Sequence, residues 1–341
     1  MKKLILFVFM GFTAFASTAN AVIGGKSVIY VHGLQTLAFD RDITVAAREA
    51  DARAQAGVIR PFVDHFIFFD SAERLNVQNN NLRDQINAIA DTGSCVSGCL
   101  IVTASTGDLV TRHFLSRLNQ WGVDTQRFRV TATFDVVGAG GGTELADLAA
   151  SVVGNPFLSG TADLLAGIII GADVNSVEDL GIVNDLRPNV ARSIGTSFNS
   201  IPKLRIAAGD GGLTSAFISG GDDGVVPLHS ACGSSRAESV DSCSRSIDID
   251  GRIRSASGPR SFLFNHFPII MAEDVAHTEA ADDVPSGTLV AVNNNRNFNG
   301  VDISFSERSF STGFWFFRRN FRTINKPSSQ SLGAFLISEI D

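Results

Sequence analysis

The chain has 341 residues, 44% of them hydrophobic, and carries a formal net charge of −7. That length holds one large domain or two modest ones around a substantial core. The acidic balance excludes nucleic acid as a partner, because such a partner requires a basic face.

At the N-terminus, Lys2 and Lys3 precede the apolar run "LILFVFMGFTAFA", which exits through Ala19-Asn20-Ala21. A charged start, a short apolar middle and an A-x-A exit predict a secretory signal peptide over 1–21, cut before Val22, and so a secreted or periplasmic protein. The run is short for the ~20 residues of a membrane span. Removing it leaves about 320 residues and takes the charge from −7 to −9. The next most apolar stretch, "LLAGIIIGADV" at 164–174, is too short to cross a bilayer.

From Lys26 onward, apolar strands alternate with helical segments. Strands are predicted over 26–33, 64–70, 99–104 and 127–140, and helices over 43–56, 82–93 and 108–121. The strands are continuous apolar runs with no polar alternation. They therefore predict an α/β fold: a mostly parallel sheet flanked by helices on both faces. Between Glu144 and Asn199 the texture turns Gly- and Ala-rich. The stretch 149–174 reads either as a lid or as a buried helical layer. Further core strands are expected over 203–210 and 260–264, with a helix starting near Met271. After about Pro285 the chain is β-like, and the aromatic stretch around Trp315 is expected to complete a β core in preference to binding substrate.

Four cysteines in an exported chain predict two disulfides, most simply the local pairs Cys95–Cys99 and Cys232–Cys243. Neither pair has the C-x₂-C spacing of a zinc site, and no metal ligands are assigned.

The segment "CLIVTASTGDLVTRHFL" carries the chemistry. A buried strand ends in Thr103-Ala104-Ser105-Thr106-Gly107 and a helix follows. This matches either a nucleophile elbow, whose tight turn tolerates only small neighbours, or a plain strand-to-helix turn with a capping hydroxyl. Two further stretches favour the elbow: "VIYVHGLQ" at the end of the first strand, and "GGDDGVVPLHSACG", which sets Asp222 and Asp223 in a loop after the 203–210 strand. Histidines lie beyond it in the order Ser, Asp, His.

On these residues the chain resembles bacterial secreted lipases and esterases of the α/β-hydrolase superfamily, the triacylglycerol lipases in particular. "VIYVHGL" is similar to their first strand and oxyanion loop, and "VTASTGDLVTRHFL" to their elbow. "VTATFDVVGAGGGTELADLA" resembles the strand leading into a Gly-Ala-Pro-His segment, and "FISGGDDGVVPLHSAC" the segment bearing the acid. The resemblance implies an α/β-hydrolase domain over 22–284, a lid-like helical insertion at about 145–199 and a β-rich C-terminal extension over 285–341. It also implies Ser105 as nucleophile, backbone N–H groups of Leu34 and Thr106 as the oxyanion hole, and Asp223 as the acid, with Asp222 left for an adjoining or metal-binding role. The family's base follows the last sheet strand, which favours His266 over His277. No cofactor is implied beyond a structural calcium found in some relatives, whose ligands are not assignable here.

Departures from the pattern are Thr103 for a glycine, Ala104 for a histidine, Asp108 for a glycine, and Gly140-Gly141 for Pro-His. Asp108 is expected to face outward from the first helical turn, where its charge suits the helix dipole. The expected function is a serine ester hydrolase acting on lipid-like or acyl esters, with transient contact to a lipid interface. The alternatives are a non-catalytic periplasmic binding or assembly protein on the same fold, and an amidase or polyester depolymerase with the same triad.

Overall fold

Side chains alternate between the two faces of a strand, so a strand that is apolar at every position must be covered on both sides. In the first strand, β1 (Ser27–Val31), Val28 and Tyr30 enter one core with Leu100 and Val102, while Ile29 and Val31 enter a second with Ile101. The computed structural model describes residues 26–153, 178–195, 201, 203–234, 236–237, 247–248, 252–253, 269–272, 275–282, 290–291, 296–298, 301–303, 307–312, 314–317, 319–324 and 329–338. The expected signal peptide, most of the lid-like insertion, His266 and Cys243 lie outside the described residues.

Five further strands run parallel to β1: β2 (His65–Ile67), β3 (Cys99–Ala104), β4 (Val130–Val136), β5 (Lys203–Ala208) and β8 (Ile269–Ala272). Two short pairs lie outside this sheet, β6 (Ile247–Asp248) with β7 (Arg252–Ile253) and β10 (Arg296–Phe298) with β11 (Val301–Ile303). Strands β9 (Val290–Ala291), β13 (Arg319–Ile324) and β12 (Glu307–Thr312) extend the main sheet as an antiparallel edge. The order is β12-β13-β9-β8-β5-β4-β3-β1-β2. From β1 the chain first winds outward to β2, then returns past β1 to β3 and winds the other way. The strand order reverses between β1 and β3, and a crevice for a ligand opens beyond the carboxyl ends of the strands at such a point. This parallel order, with a serine turn directly after β3, is that of the α/β-hydrolase fold.

Helices cover both faces. Helix α1 (Val45–Ala54) begins at Thr44, whose hydroxyl accepts from the Ala47 N–H at 3.2 Å. Helix α2 (Asn79–Thr92) buries Leu82, Ile86, Ile89 and Ala90 at helical spacing and stops at Gly93, in the left-handed region at φ 74°. A disulfide between Cys95 and Cys99 clips the following turn to the start of β3. Cys232 is also disulfide-bonded. Helix α3 (Gly107–Leu115) follows β3, and α4 (Glu144–Val152) follows β4. Among the described residues no helix is long and apolar enough to cross a membrane.

Two expectations are corrected. Met271 lies in the parallel strand β8 and not at the start of a helix, while the expected 260–264 strand lies outside the described residues. Phe314, Trp315 and Phe316 are exposed instead of completing a core. The register pairs Thr312 with Arg319, so these aromatics belong to the connection between β12 and β13 and not to a strand face.

Candidate active site

Three chain segments meet at the carboxyl end of β3. Ser105 leaves the strand at φ +51°, a left-handed backbone costing roughly 1–2 kcal/mol for a residue with a Cβ. Its N–H donates to Val136 O at 3.0 Å, and its carbonyl accepts from Ala139 N at 2.9 Å and Asp108 N at 3.2 Å. The turn closes because two glycines pack against it. A Cβ on Gly107 would stand 2.3 Å from Val31 O and 2.7 Å from His32 O; one on Gly33 would stand 3.2 Å from the Ser105 Cβ. Thr103 takes no part in the turn's clearance, since its hydroxyl donates sideways to Asp135 at 2.9 Å.

The histidine that meets Ser105 is His277, whereas the expected base, His266, lies outside the described residues. Its Nε2 lies 2.8 Å from Ser105 Oγ and its Nδ1 lies 2.8 Å from Asp223 Oδ2. Because the last parallel strand ends at Ala272, the first histidine beyond it is residue 277, in the 3₁₀ turn His277–Glu279. Its backbone N–H donates to Asp223 O at 3.0 Å, tying the two residues together through the main chain as well.

Asp223 is buried, and its other oxygen accepts from Val225 N at 3.1 Å and Val226 N at 2.7 Å. Asp222 turns to different work. It accepts from Gly224 N at 2.8 Å and Ser215 Oγ at 3.0 Å, shaping the turn; burial raises its pKa. Among the described residues no group of three or more His, Cys, Asp or Glu is gathered for a metal ion.

In the loop after β1 two backbone N–H groups are tied down by side chains. Gly33 N donates to Gln55 Oε1 at 2.8 Å, and Gln35 N to Ser71 Oγ at 2.9 Å. The Leu34 N–H has no hydrogen-bond partner among the described residues, and neither has the Thr106 N–H at the start of α3, where the positive end of a helix lies. Both residues line a cavity of about 390 Å³ beside Ser105 and His277. Its other walls are mostly small and apolar, among them Ala104, Val137, Ala146, Val183 and Leu186.

His32 supports this loop from behind. It stacks on Phe69 with ring centroids 4.0 Å apart, its Nδ1 donates to Gly33 O at 2.7 Å, and its Nε2 accepts from Phe69 N at 3.1 Å. Accepting at Nε2 requires the neutral ring, and burial pushes its pKa down to about 4. His113, buried on α3 with Nε2 2.8 Å from Asn79 Oδ1, is pushed to about 3 by burial and then by Arg117. His65 is half-buried, 2.8 Å from Ser94 Oγ.

Asp108 does not face outward. It is fully buried and ion-paired with Lys203 and with Arg205, the latter at 3.4 Å; Arg205 also pairs with Asp135 at 3.0 Å. Burial raises Asp135 to about 6 and lowers Lys203, with Arg205 adding to the second effect. The departures at 108 and 140–141 belong together. A Cβ on Gly140 would stand 2.1 Å from the Asp108 carboxylate, and one on Gly141 would stand 2.9 Å from the Ser230 Cα. Arg112 donates to Gly140 O at 2.7 Å, and Arg192 to Gly141 O and, at 2.8 Å, to His229 Nδ1. His229 then donates from Nε2 to Glu144 at 2.6 Å. With Thr143 Oγ1 donating to Val225 O at 2.6 Å, this network fastens the 140–144 turn to the acid-bearing loop. Sequence reasoning missed it because its members are scattered over more than a hundred positions.

No protein-family model matches the chain, and no curated protein does. Solved structures do show similarity. The mature lipase BlEst2 of Bacillus licheniformis is 18% identical at a TM-score of 0.40, over 62% of this chain and 81% of that one. Phospholipase PlaB from Legionella pneumophila is 13% identical at 0.34, over 60% and 45%, and an inhibited esterase B from Lactobacillus rhamnosis is 14% identical at 0.32, over 56% and 58%. The chain thus spans about half the length of the latter two. At these values the strand order carries the fold, and the side chains of this protein carry its chemistry.

Two predictions follow from the burial of these groups. Unfolded histidines bind a proton near pH 6.5, whereas His32 folds with a value near 4. Stability from this source is therefore complete above pH 6.5 and is lost as pH falls, by on the order of 2 kcal/mol from His32 alone at pH 5. Urea unfolding at pH 7.5 and pH 5 measures it. Asp108→Ala removes the carboxylate shared by two buried cations and is expected to cost about 3–5 kcal/mol. Asp84→Ala, at an exposed pair with Arg83, should stay within about 1 kcal/mol. Thermal unfolding of both variants gives the comparison.

Proposed function

We propose that the protein is a serine ester hydrolase that works through an acyl-enzyme, with Ser105 as nucleophile, His277 as base and Asp223 as the orienting acid. The observation that carries this is the pair of 2.8 Å hydrogen bonds that puts His277 between Ser105 Oγ and Asp223 Oδ2. The directions are set by chemistry. Asp223 is the acceptor for Nδ1–H, so Nε2 is the acceptor for the Ser105 hydroxyl and stands ready to take its proton.

Attack of Oγ on an ester carbonyl builds negative charge on the carbonyl oxygen. The unpartnered N–H groups of Leu34 and Thr106 are the donors for it, and losing one such donor costs roughly 10²–10³ in rate. The His277 imidazolium returns its proton to the departing alcohol. Water, deprotonated by the same ring, then releases the acid. The cavity supports an acyl group of modest size: its volume lies near the low end of the ~300–1,000 Å³ range of ligand pockets, and its walls offer an acyl chain apolar surface. The compensation of Asp108 by Gly140 and by two buried cations argues against an elbow that has drifted into disuse. Export through the predicted leader would place the enzyme outside the cytoplasm.

Hydrolysis of p-nitrophenyl butyrate tests the assignment. Ser105→Ala and His277→Ala should each lower kcat by about 10⁴ or more, with no further loss in the double variant, because the two act as one unit. His266→Ala should retain activity. Equal slow turnover by wild type and Ser105→Ala would refute the enzyme assignment.

Gln55 is a positioning residue for the oxyanion loop. It accepts from Gly33 N at 2.8 Å while its amide donates to Asp51 at 3.0 Å, which fixes its orientation. Gln55→Ala should lower kcat about tenfold with KM little changed, since the loss falls on the developing oxyanion and not on ground-state binding. Steady-state kinetics on the same ester separates the two parameters.

A further inference from the structure

Far from the serine turn, the connection between β12 and β13 exposes Phe314, Trp315 and Phe316 in succession, at 82%, 78% and 88% of their surfaces. The other large hydrophobic residues exposed among the described residues stand singly in sequence. Isolated ones are ordinary on a protein surface, whereas three consecutive aromatics at a turn are not. The Trp315 and Phe316 rings stand edge-to-face with centroids 5.1 Å apart, so they form one apolar wedge.

Charge narrows the partner. Between Glu307 and Arg322 the sequence holds one acidic residue and four arginines (308, 318, 319 and 322), a local charge of +3 in a chain of −7. The register sets Arg319 opposite Thr312 at the end of the ladder beside the aromatics, and Arg322 opposite Ser309. Phe and Trp at the tip, with arginines close by in sequence, match the chemistry of a bilayer interface. There the rings enter the acyl boundary, the indole N–H faces the headgroups, and cationic residues meet anionic lipid. Area argues against a folded protein partner. Three such side chains offer roughly 600 Å² from this side, short of the ~800 Å² that each partner of a standard stable interface buries.

We propose that this hairpin tip is an anchor that inserts Phe314, Trp315 and Phe316 into an anionic lipid surface. It is separate from the catalytic crevice. Strand β13 runs antiparallel to β9, and β9 antiparallel to β8, so β13 points the same way as the parallel strands. The tip precedes β13 and therefore lies at the end of the sheet where the parallel strands begin, whereas Ser105 lies where they finish. The tip would hold the protein on a membrane without presenting the pocket to it, and the proposal stands whether or not Ser105 hydrolyses esters.

The readout is local to the tip. In a Trp121→Phe form of the full chain, Trp315 is the remaining tryptophan. Its emission should shift to shorter wavelength on adding vesicles of equimolar phosphatidylcholine and phosphatidylglycerol, and be quenched by brominated acyl chains. Added salt should weaken the effect. Adding Phe314→Ser and Phe316→Ser should weaken partitioning about tenfold or more, with an unchanged circular dichroism spectrum and melting temperature as the check on folding. Absence of a shift with anionic vesicles would overturn the proposal, and so would an equal shift with phosphatidylcholine alone. A concentration-dependent shift without lipid, accompanied by a dimer in sedimentation, would overturn it in favour of a second copy of the chain.

Discussion

A residue with a side chain can hold a left-handed backbone between a strand and a helix only where the segments around it have nothing to collide with. Ser105 is held in this way. Gly107 lets the first turn of α3 settle against the carbonyls of Val31 and His32, and Gly33 lets the loop after β1 pass the serine Cβ. Because β1 and β3 are hydrogen-bonded neighbours, the loop that follows one is brought against the turn that follows the other. The free amides of Leu34 and Thr106, the cavity beside them and the reach of His277 all depend on that close approach. The strain at Ser105 is local, and the surrounding sheet, with cores on both faces, over-determines it.

The parallel sheet and the serine turn were legible because each is written in consecutive residues. "SVIYV" and "CLIVTA" are almost wholly apolar, and the small residues from Thr103 to Gly107 mark a tight turn after such a run. The base was less legible. The rule that it follows the last parallel strand leads to the right neighbourhood, but two apolar runs, 260–264 and Ile269–Ala272, compete for that strand. Register with β5 makes Ile269–Ala272 a parallel strand: Arg205 pairs with Ile269, and Ala208 with Ala272. Pairing over more than sixty positions is tertiary information that a local pattern does not contain. The aromatic tip misled for a related reason. A run of aromatics has strong strand propensity, and only the hairpin register places it in the connection.

Asp108 shows how position-by-position comparison misleads at a site. Taken alone, a carboxylate one turn from the nucleophile looks hostile to a developing oxyanion. In the fold its charge is spent on Lys203 and Arg205, and the glycine at 140 exists where the carboxylate needs room. The same set of contacts reaches through Arg192, His229 and Glu144 to the loop that carries Asp223, so substitutions that look like losses in sequence form one mutually dependent unit in space. Buried charge of this kind is weak evidence for added stability. Its clearer effect is to fix where the turn at 140–144 and the acid loop sit relative to α3.

His277 lies 172 residues beyond the serine it contacts, and Asp223 lies on another stretch again. A ribosome therefore finishes the strand, turn and helix around Ser105 long before the imidazole that meets it exists. Through all of that interval the hydroxyl is an ordinary alcohol. On the proposed function, the order of synthesis would hold back reactivity until the last described parallel strand and the turn after it deliver the imidazole.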